Sequence, residues 1–365
     1  MSRSSPLSST ARKLEFLSRR ATYPGQTQPV EVIETHFAWV FLAERYAYKM
    51  KKALRQDVMD YRSVASRARG CRNELRLNRR LAPGVYLEAL PLRCLRDGSL
   101  ILGVGGGRIV DWLIRMRRLP ATRMLDLAIT QNAVTARDRH ALVNLLSRFY
   151  ARARPRAMSS ARYVRLFRAR LEENLSALSA SGTGLGLATL ARVAKAQRLF
   201  IDSNSGLLGA RAQHLVEAHG DLRPEHIYLG SRLEGPCVID CLEFDARLRR
   251  LDPVEELAFL CLECRRLGAE AFGRGVTHAV LAKIGAEVPP SLISFYTSHR
   301  ALIRAKLCIW HLRGQRRPRA ANHWRERASS YIEEALHFAV LALRPPRAAR
   351  GDRTTSKRYA SGHPT

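Results

Sequence analysis

The segment HGDLRPEH, residues 219–226, is the most informative stretch of this 365-residue chain. A His-Gly-Asp triplet alone arises by chance in roughly one chain of this length in twenty. Its context adds weight, because the apolar run CVI, residues 237–239, leads into a second aspartate, Asp240, nineteen residues after Asp221. A loop aspartate followed by an aspartate carried on a hairpin is the arrangement that phosphoryl transfer uses.

The chemistry of phosphoryl transfer gives these residues candidate roles. Asp221 fits the catalytic carboxylate that orients the acceptor hydroxyl, and Asp240 fits the carboxylate that holds Mg²⁺ on the phosphates. Arg223, two residues after Asp221, could reach the transferring phosphate. His219 belongs to the same catalytic group, where we expect it to brace the loop rather than to react. The plainer alternative is that both aspartates are turn and strand-end residues.

The chain around this motif divides into a β-rich first third and a helical remainder. The first third predicts a hairpin over 30–52, with its turn at 43–45, and a helix over 57–82. Three strands are then predicted at 85–92, 99–104 and 108–114. Helical spacing of apolar residues follows at 124–135, 140–153, 161–178 and 189–204, and again at 253–270, 273–286, 290–312 and 322–343. A hairpin over 226–241 interrupts the helices. This order predicts an α+β fold with two lobes.

The predicted lobes leave a short segment at each end. We expect residues 1–29 to be loosely ordered, because they are polar and contain Pro and Gly. The small N-lobe, 30–114, would bind nucleotide, and the large helical C-lobe, 115–343, would carry the catalytic loop and the metal-binding hairpin. Residues 344–365 predict a basic, disordered tail.

The charge of the chain bears on its ligands. The formal net charge is +30, and 54 of the 62 basic residues are Arg. Residues 1–30 contribute +4 and residues 344–365 contribute +5, so about +21 remains on the folded body. Such a field favours anions, including ATP and nucleic acid, and disfavours a polycationic substrate.

Four segments in the same order give the chain a resemblance to a known family. EVIETHFAWVFLAERYAYKMKK (31–52), ELRLNRRLAP (74–83), AHGDLRPEHI (218–227) and IDCLEF (239–244) resemble the aminoglycoside phosphotransferase-like proteins. The similarity is closest to a bacterial subgroup often fused to a C-terminal P-loop ATPase, and it runs with gaps from Tyr23 to Leu343. It implies a two-lobed protein-kinase-like fold.

The resemblance also implies roles for matching positions. Lys49 matches the lysine that contacts the α- and β-phosphates of ATP, with Lys51 as its competitor on the same strand face. Glu74 matches the helix glutamate that pairs with that lysine. Trp112 falls where the hinge that lines the adenine pocket is expected. The implied partners are ATP with Mg²⁺ and an unidentified hydroxyl-bearing acceptor, for which an anionic or neutral molecule is the better expectation.

Three features depart from the general family pattern. His226 stands where a second metal ligand, Asn, is usual, although the narrower subgroup shares the histidine; imidazole is a poor Mg²⁺ ligand, so Glu243 or Asp245 is an alternative oxygen donor. No P-loop sequence G-x-x-x-x-G-K-[ST] occurs. The first hairpin also lacks a glycine-rich loop, as aminoglycoside phosphotransferases generally do.

Two other functions remain open from the sequence. One is a catalytically weak, nucleotide-binding regulatory module, suggested by His226. The other, less favoured, is a nucleic-acid-binding protein that uses the basic run 313–327 with stacking on Trp324. Cys261 and Cys264 form a C-x-x-C that we interpret as buried helix-face thiols. The odd number of cysteines and the short apolar runs favour a cytoplasmic protein without a membrane span.

Overall fold

The computed structural model describes residues 9–56, 59–180, 184–231, 234–313 and 318–345. The strands are β1 (Glu31–Glu34), β2 (Ala38–Leu42), β3 (Tyr46–Lys51), β4 (Arg55–Gln56), β5 (Met59–Asp60), β6 (Tyr86–Cys94), β7 (Leu100–Leu102), β8 (Arg108–Arg117), β9 (Val216–Glu217), β10 (Ile227–Tyr228), β11 (Cys237–Val238) and β12 (Arg250–Leu251). The helices are α1 (Ser9–Ser18), α2 (Val64–Asn78), α3 (Leu125–Thr130), α4 (Ala136–Arg152), α5 (Ser160–Ser179), α6 (Leu187–Ser203), α7 (Ser205–Ala210), α8 (Pro253–Arg266), α9 (Glu270–Lys283), α10 (Pro290–Arg313) and α11 (Pro318–Ala342).

The N-lobe is built on one antiparallel sheet in the order β1-β2-β3-β8-β6-β7. The predicted break at 43–45 is the turn between β2 and β3, whose register pairs Val40 with Lys49. The helix expected over 57–82 is shorter than predicted. It begins after Ser63, whose side chain accepts a hydrogen bond from the amide of Ser66 and so caps the helix. Residues 59–60 of the expected helix form β5 instead, which pairs with β4, and residues 57–58 lie outside the described ranges.

The N-terminal segment is ordered where we expected it to be loose. α1 lies against one face of the sheet, with Leu17 and Tyr23 buried in a cluster that includes Phe41 and Leu113. Lys13 fixes the helix by pairing with Asp111 at 2.8 Å. The expectation for 1–29 was therefore wrong over residues 9–23. Residues 1–8 lie outside the described ranges.

Helix α2 covers the opposite face of the sheet and links it to the C-lobe. Cys71 and Ile114 share a buried cluster with Tyr228 of β10 and Cys237 of β11. The lobes are joined in sequence by residues 118–120, because β8 runs on to Arg117, past the boundary expected at 114. The short hairpin β10–β11 therefore lies against the N-lobe, at the base of the cleft.

The C-lobe is helical around one large core, as predicted. The first helix expected there ends early: α3 stops at Thr130, Asn132 takes a left-handed φ of 53°, and Thr135 with Asp138 forms a capping box for α4. Cys264 is buried in α8 and Cys261 half-buried, in agreement with the helix-face interpretation. The tail expected at 344–365 lies, from residue 346 onward, outside the described residues.

None of the helices in the described ranges combines the length and the apolar character that a bilayer crossing requires.

Candidate active site

The two lysines of β3 meet the glutamate of α2. Lys49 Nζ lies 2.9 Å from Oε1 of Glu74, and Lys51 Nζ lies 2.5 Å from Oε2 of the same side chain. The two lysines share this face because side chains alternate along a strand. Glu74 is fully buried, so it joins both ammonium groups without competition from water.

The two lysines differ in their second partner. Lys49 Nζ also lies 2.5 Å from Oδ1 of Asp240. This contact joins the N-lobe to the C-lobe across the cleft. Lys51 pairs instead with Glu243, whose Oε1 also accepts a hydrogen bond from Tyr61 Oη at 2.8 Å. The side chain of Lys51 is 3% exposed against 16% for Lys49, so Lys49 is the more accessible cation in the cleft.

Glu256 of α8 holds the backbone of the catalytic loop, residues 219–226. This buried carboxylate accepts hydrogen bonds from the amides of His219, at 3.1 Å, and Gly220, at 2.5 Å, and from Tyr150 Oη at 2.9 Å. Burial raises the pKa of Glu256 despite these donors. Gly220 has a φ of +95°, and a Cβ there would lie 3.0 Å from Leu242 Cδ1, so the turn requires glycine.

His219 is part of the same brace. Its ring is fully buried, Nδ1 accepts a hydrogen bond from the amide of Asp221 at 3.3 Å, and Nε2 therefore carries the proton that it donates to Ile239 O at 2.9 Å. Burial lowers the pKa of His219 to about 3. Both ring nitrogens are thus used inside the protein, which fits the expected bracing role.

The Asp221 carboxylate lies beside Arg223 and His226. Arg223 Nε donates to Asp221 Oδ2 at 3.1 Å, and a terminal nitrogen of the same guanidinium donates to His226 Nε2 at 3.0 Å. Since a guanidinium only donates, Nε2 is an acceptor and Nδ1 carries the proton, which it donates to Asp221 O at 2.9 Å. Burial raises the pKa of Asp221, but Arg223, His226 and Arg304 together hold it below its ordinary value.

Asp240 is held in position by the N-lobe. Its amide donates to Tyr86 Oη at 3.0 Å, and the next amide, of Cys241, donates to Asn78 Oδ1 at 2.9 Å. Asp240 has a φ of 62°, a left-handed conformation that is uncommon outside glycine and that clusters at functional sites. Partial desolvation in the cleft raises the pKa of Asp240, but Lys49, His226 and Lys51 together outweigh it, so the group stays ionised.

The expected metal ligands are not equally free. Asp240 is 44% exposed at its side chain, and its Oδ2 lies 3.7 Å from His226 Nε2. The lone pair of His226 Nε2 faces Arg223, and Glu243 faces Lys51. Across the described residues, no group of three or more His, Cys, Asp or Glu side chains is arranged to hold a metal ion. The donors fit Mg²⁺ bound through one or two carboxylates, with water and phosphate oxygens as the other ligands.

Trp112 lies away from the connection between the lobes. It is in the middle of β8, opposite Pro91, six residues before the connecting segment begins at residue 118. Its ring packs with Arg72, whose guanidinium carbon lies 5.9 Å from the ring centroid. The hinge is therefore later in the sequence than expected.

Some residues of the site were not singled out from the sequence. Tyr86 and Asn78 hold the Asp240 loop, and Arg304 of α10 faces Asp221, but none of them stands in a motif. Glu256 was not predicted to be part of the site either. Its place at the start of α8, after a Pro-containing cap, was the available signal.

The chain was compared with curated proteins, with solved structures and with protein-family models. The chain is 30% identical over 306 residues to Uncharacterized protein Rv2004c of Mycobacterium tuberculosis (strain ATCC 25618 / H37Rv), and equally to Uncharacterized protein Mb2027c of Mycobacterium bovis (strain ATCC BAA-935 / AF2122/97). The match takes in 82% of this chain and 58% of each relative, so the chain spans little more than half of their length. No protein-family model matches the chain.

Three solved structures align with most of the chain at low sequence identity. They are the GDP and kanamycin complex of APH(2")-IIIa (17% identity, TM-score 0.49, 86% of this chain and 95% of that one), a glucosamine kinase with glucosamine, ADP and inorganic phosphate (13%, 0.49, 90% and 86%), and a choline/ethanolamine kinase family protein from Mesorhizobium loti (14%, 0.47, 90% and 99%). The order and content of its two lobes give the chain the two-lobed, kinase-like α+β fold that the sequence predicts.

Proposed function

We propose that this chain is an ATP-dependent phosphotransferase that moves the γ-phosphoryl group to a hydroxyl of a small acceptor. The observation that carries the proposal is the 2.5 Å contact between Lys49 Nζ of the N-lobe and Asp240 Oδ1 of the C-lobe. An ammonium group and a metal-binding carboxylate that face each other across a cleft both act on the phosphates of a bound nucleotide.

The roles of the individual residues follow from their contacts. Lys49, oriented by Glu74, would bind non-bridging phosphate oxygens, and Asp240 would hold Mg²⁺, with His226 or Glu243 able to join only by leaving its present partner. Mg²⁺ supplies charge neutralisation on the phosphates when bound. Trp112 remains a proposed contributor to the nucleotide pocket, from its place on β8.

Asp221 is suited to receive the acceptor hydroxyl. Its Oδ2 accepts from Arg223, whereas its Oδ1 accepts no hydrogen bond from any residue in the described ranges. Since its pKa lies below the ordinary value, it is a carboxylate at neutral pH and can orient the hydroxyl and take its proton. Arg223, already charged and adjacent, would face the transferring phosphate, and His219 would hold the loop.

The ligands named for the structural neighbours do not identify the acceptor of this chain. Kanamycin and glucosamine are bound by the proteins of those structures, and the curated relatives are longer than the matched region. ATP as phosphate donor, a small hydroxylated acceptor and a cytoplasmic location are accordingly parts of the proposal.

Thermal unfolding with and without ATP and Mg²⁺ tests the nucleotide site. We expect ATP to raise the melting temperature of the wild type in a Mg²⁺-dependent way. Asp240→Ala should abolish this shift, and Asp202→Ala, which removes an exposed carboxylate paired with Arg168, should retain it. No stabilisation of the wild type by any nucleotide would overturn the proposal. Stabilisation that needs no Mg²⁺, without phosphate transfer, would favour the regulatory module.

A further inference from the structure

One face of α10 runs along the cleft from the N-lobe to the catalytic loop. Arg304, Cys308 and His311 recur at the spacing that places side chains on one side of a helix. At the N-lobe end, the ring of His311 lies 5.1 Å from that of His36, in the turn between β1 and β2. At the other end, Arg304 is one of the charges that act on Asp221. The face therefore extends from the turn between β1 and β2 toward the catalytic loop.

Helix α11 completes this wall with a second set of basic and aromatic side chains. Trp324 lies 4.4 Å from His311, ring to ring, and the guanidinium carbon of Arg327 lies 5.9 Å from the centre of the Trp324 ring. Arg304 donates to Tyr331 Oη at 3.4 Å. Trp324 is half-buried in this packing.

Arg304 has one anionic partner in the described part of the chain, Glu263, and shares it with Tyr331. Among the described residues, the Nε–Tyr331 contact is the only hydrogen bond of Arg304, and its nearest carboxylate oxygen, of Glu263, is 3.5 Å away. That carboxylate already accepts two hydrogen bonds from Tyr331, at 2.8 and 2.9 Å. The Nε of Arg327 is buried and has no hydrogen-bond partner within the described ranges.

A buried donor without an acceptor costs about 1–3 kcal/mol, so the wall is stabilised by any oxyanion that reaches it. Guanidinium groups bind carboxylate and phosphate through paired hydrogen bonds, which gives the site a defined chemistry.

We propose that Arg304 and Arg327 form an oxyanion subsite for the acceptor, which is a small hydroxylated molecule carrying a phosphate or carboxylate group. The anionic group binds the α10–α11 wall, and the hydroxyl then lies at Asp221. This inference rests on the proposed phosphotransferase function and names its substrate class. It separates this chain from enzymes whose acceptors are polycations.

Calorimetric titration with inorganic phosphate, and separately with malonate, tests the subsite in the full chain with ADP and Mg²⁺ already bound. Phosphate tests for a subsite that binds a phosphate group, and malonate tests for one that binds a carboxylate group. We expect at least one of them to bind, and Arg304→Met and Arg327→Met each to weaken that binding about tenfold or more. Arg168→Met, which removes an exposed arginine on α5, should leave it unchanged.

Two results would overturn the inference: no binding of either anion once ADP is present, or binding that neither substitution weakens. If Arg304→Met does not fold, because it leaves Glu263 without a cation, Arg327→Met and Arg304→Lys decide the question. The ADP titration that precedes each experiment reports on the nucleotide site separately. Failure of ADP to bind counts against the phosphotransferase, whereas ADP binding without anion binding counts against the subsite alone.

Discussion

Lys49 Nζ lies 2.5 Å from Asp240 Oδ1, although 191 residues separate the two in the chain. The contact joins β3 of the N-lobe to the loop after β11 in the C-lobe. Burial lowers the pKa of Lys49, but Asp240 and Glu74 outweigh it and hold the pKa well above its ordinary value. The group is therefore a permanent cation at the position where phosphates would enter.

Substituting each β3 lysine in turn distinguishes the phosphate-binding lysine from the structural one. Lys49→Met should weaken ATP binding about tenfold or more, because it removes the accessible cation. Lys51→Met should retain ATP affinity but lower the free energy of unfolding by about 3–5 kcal/mol, because it leaves Glu243, whose side chain is only 9% exposed, without its cation. Calorimetric ATP titration and urea unfolding measure the two effects, and the reverse assignment would show that Lys51 holds the phosphates.

Glu74 pairs with both lysines, so replacing it should affect the positions of both ammonium groups and the stability of the fold. We expect Glu74→Gln to lower the free energy of unfolding by about 3–5 kcal/mol, since buried Lys51 and the less enclosed Lys49 both lose a charged partner. Glu172→Gln, at an exposed pair with Arg198, should change it by less than about 1 kcal/mol. If both substitutions changed the free energy of unfolding equally, the ion pairs of Glu74 would contribute no more to stability than an exposed ion pair does.

The buried ring of His219 predicts a pH dependence of stability. Its pKa falls from 6.5 to about 3 on folding, so between these values the unfolded chain binds a proton that the folded chain does not. Stability therefore decreases as the pH falls below 6.5. Between pH 7.5 and 5.5, the wild type should lose about 1.4 kcal/mol more than His219→Gln in urea unfolding. Parallel pH profiles for the two proteins would refute the buried neutral ring.

Glu256 should control the order of the catalytic loop. Glu256→Gln replaces an acceptor oxygen by a donor, so the amides of His219 and Gly220 cannot both keep their partner. We expect the amide of His219 or of Gly220 to exchange its hydrogen about tenfold faster, with amides in α5 unchanged as an internal control. Unchanged exchange at both amides would show that the loop is held by other contacts.

Local patterns were sufficient to predict much of the fold. The turn at 43–45 and the hairpin around 226–241 were predicted because apolar alternation and turn residues are encoded within a few positions. α1 was missed because its polar, Arg-containing segment is helical mainly through packing of Leu17 against the sheet. Tertiary packing of this kind leaves a weak local signal.

Some residues of the candidate site were predicted from the sequence and others were not. Asp221, Asp240, Lys49 and Glu74 were singled out by motif and resemblance, and the structure brings the last three into direct contact. The pairing of Lys51 with Glu243 and the approach of Arg304 to Asp221 join distant parts of the chain, and no spacing rule reports them. The hinge was placed too early because the strand signal of β8 does not show where the strand ends.

ATP turnover by the wild type and by Asp221→Asn tests the central claim most directly. Phosphorus NMR would follow ATP and Mg²⁺ with a pool of hydroxylated phosphates, carboxylates and neutral sugars. The wild type should form ADP together with a new phosphomonoester signal, and Asp221→Asn, which keeps the shape but loses the proton acceptor, should do so about a hundredfold or more slowly. Turnover by Asp221→Asn at the wild-type rate would contradict a catalytic role for this carboxylate, and with it the proposed phosphotransferase.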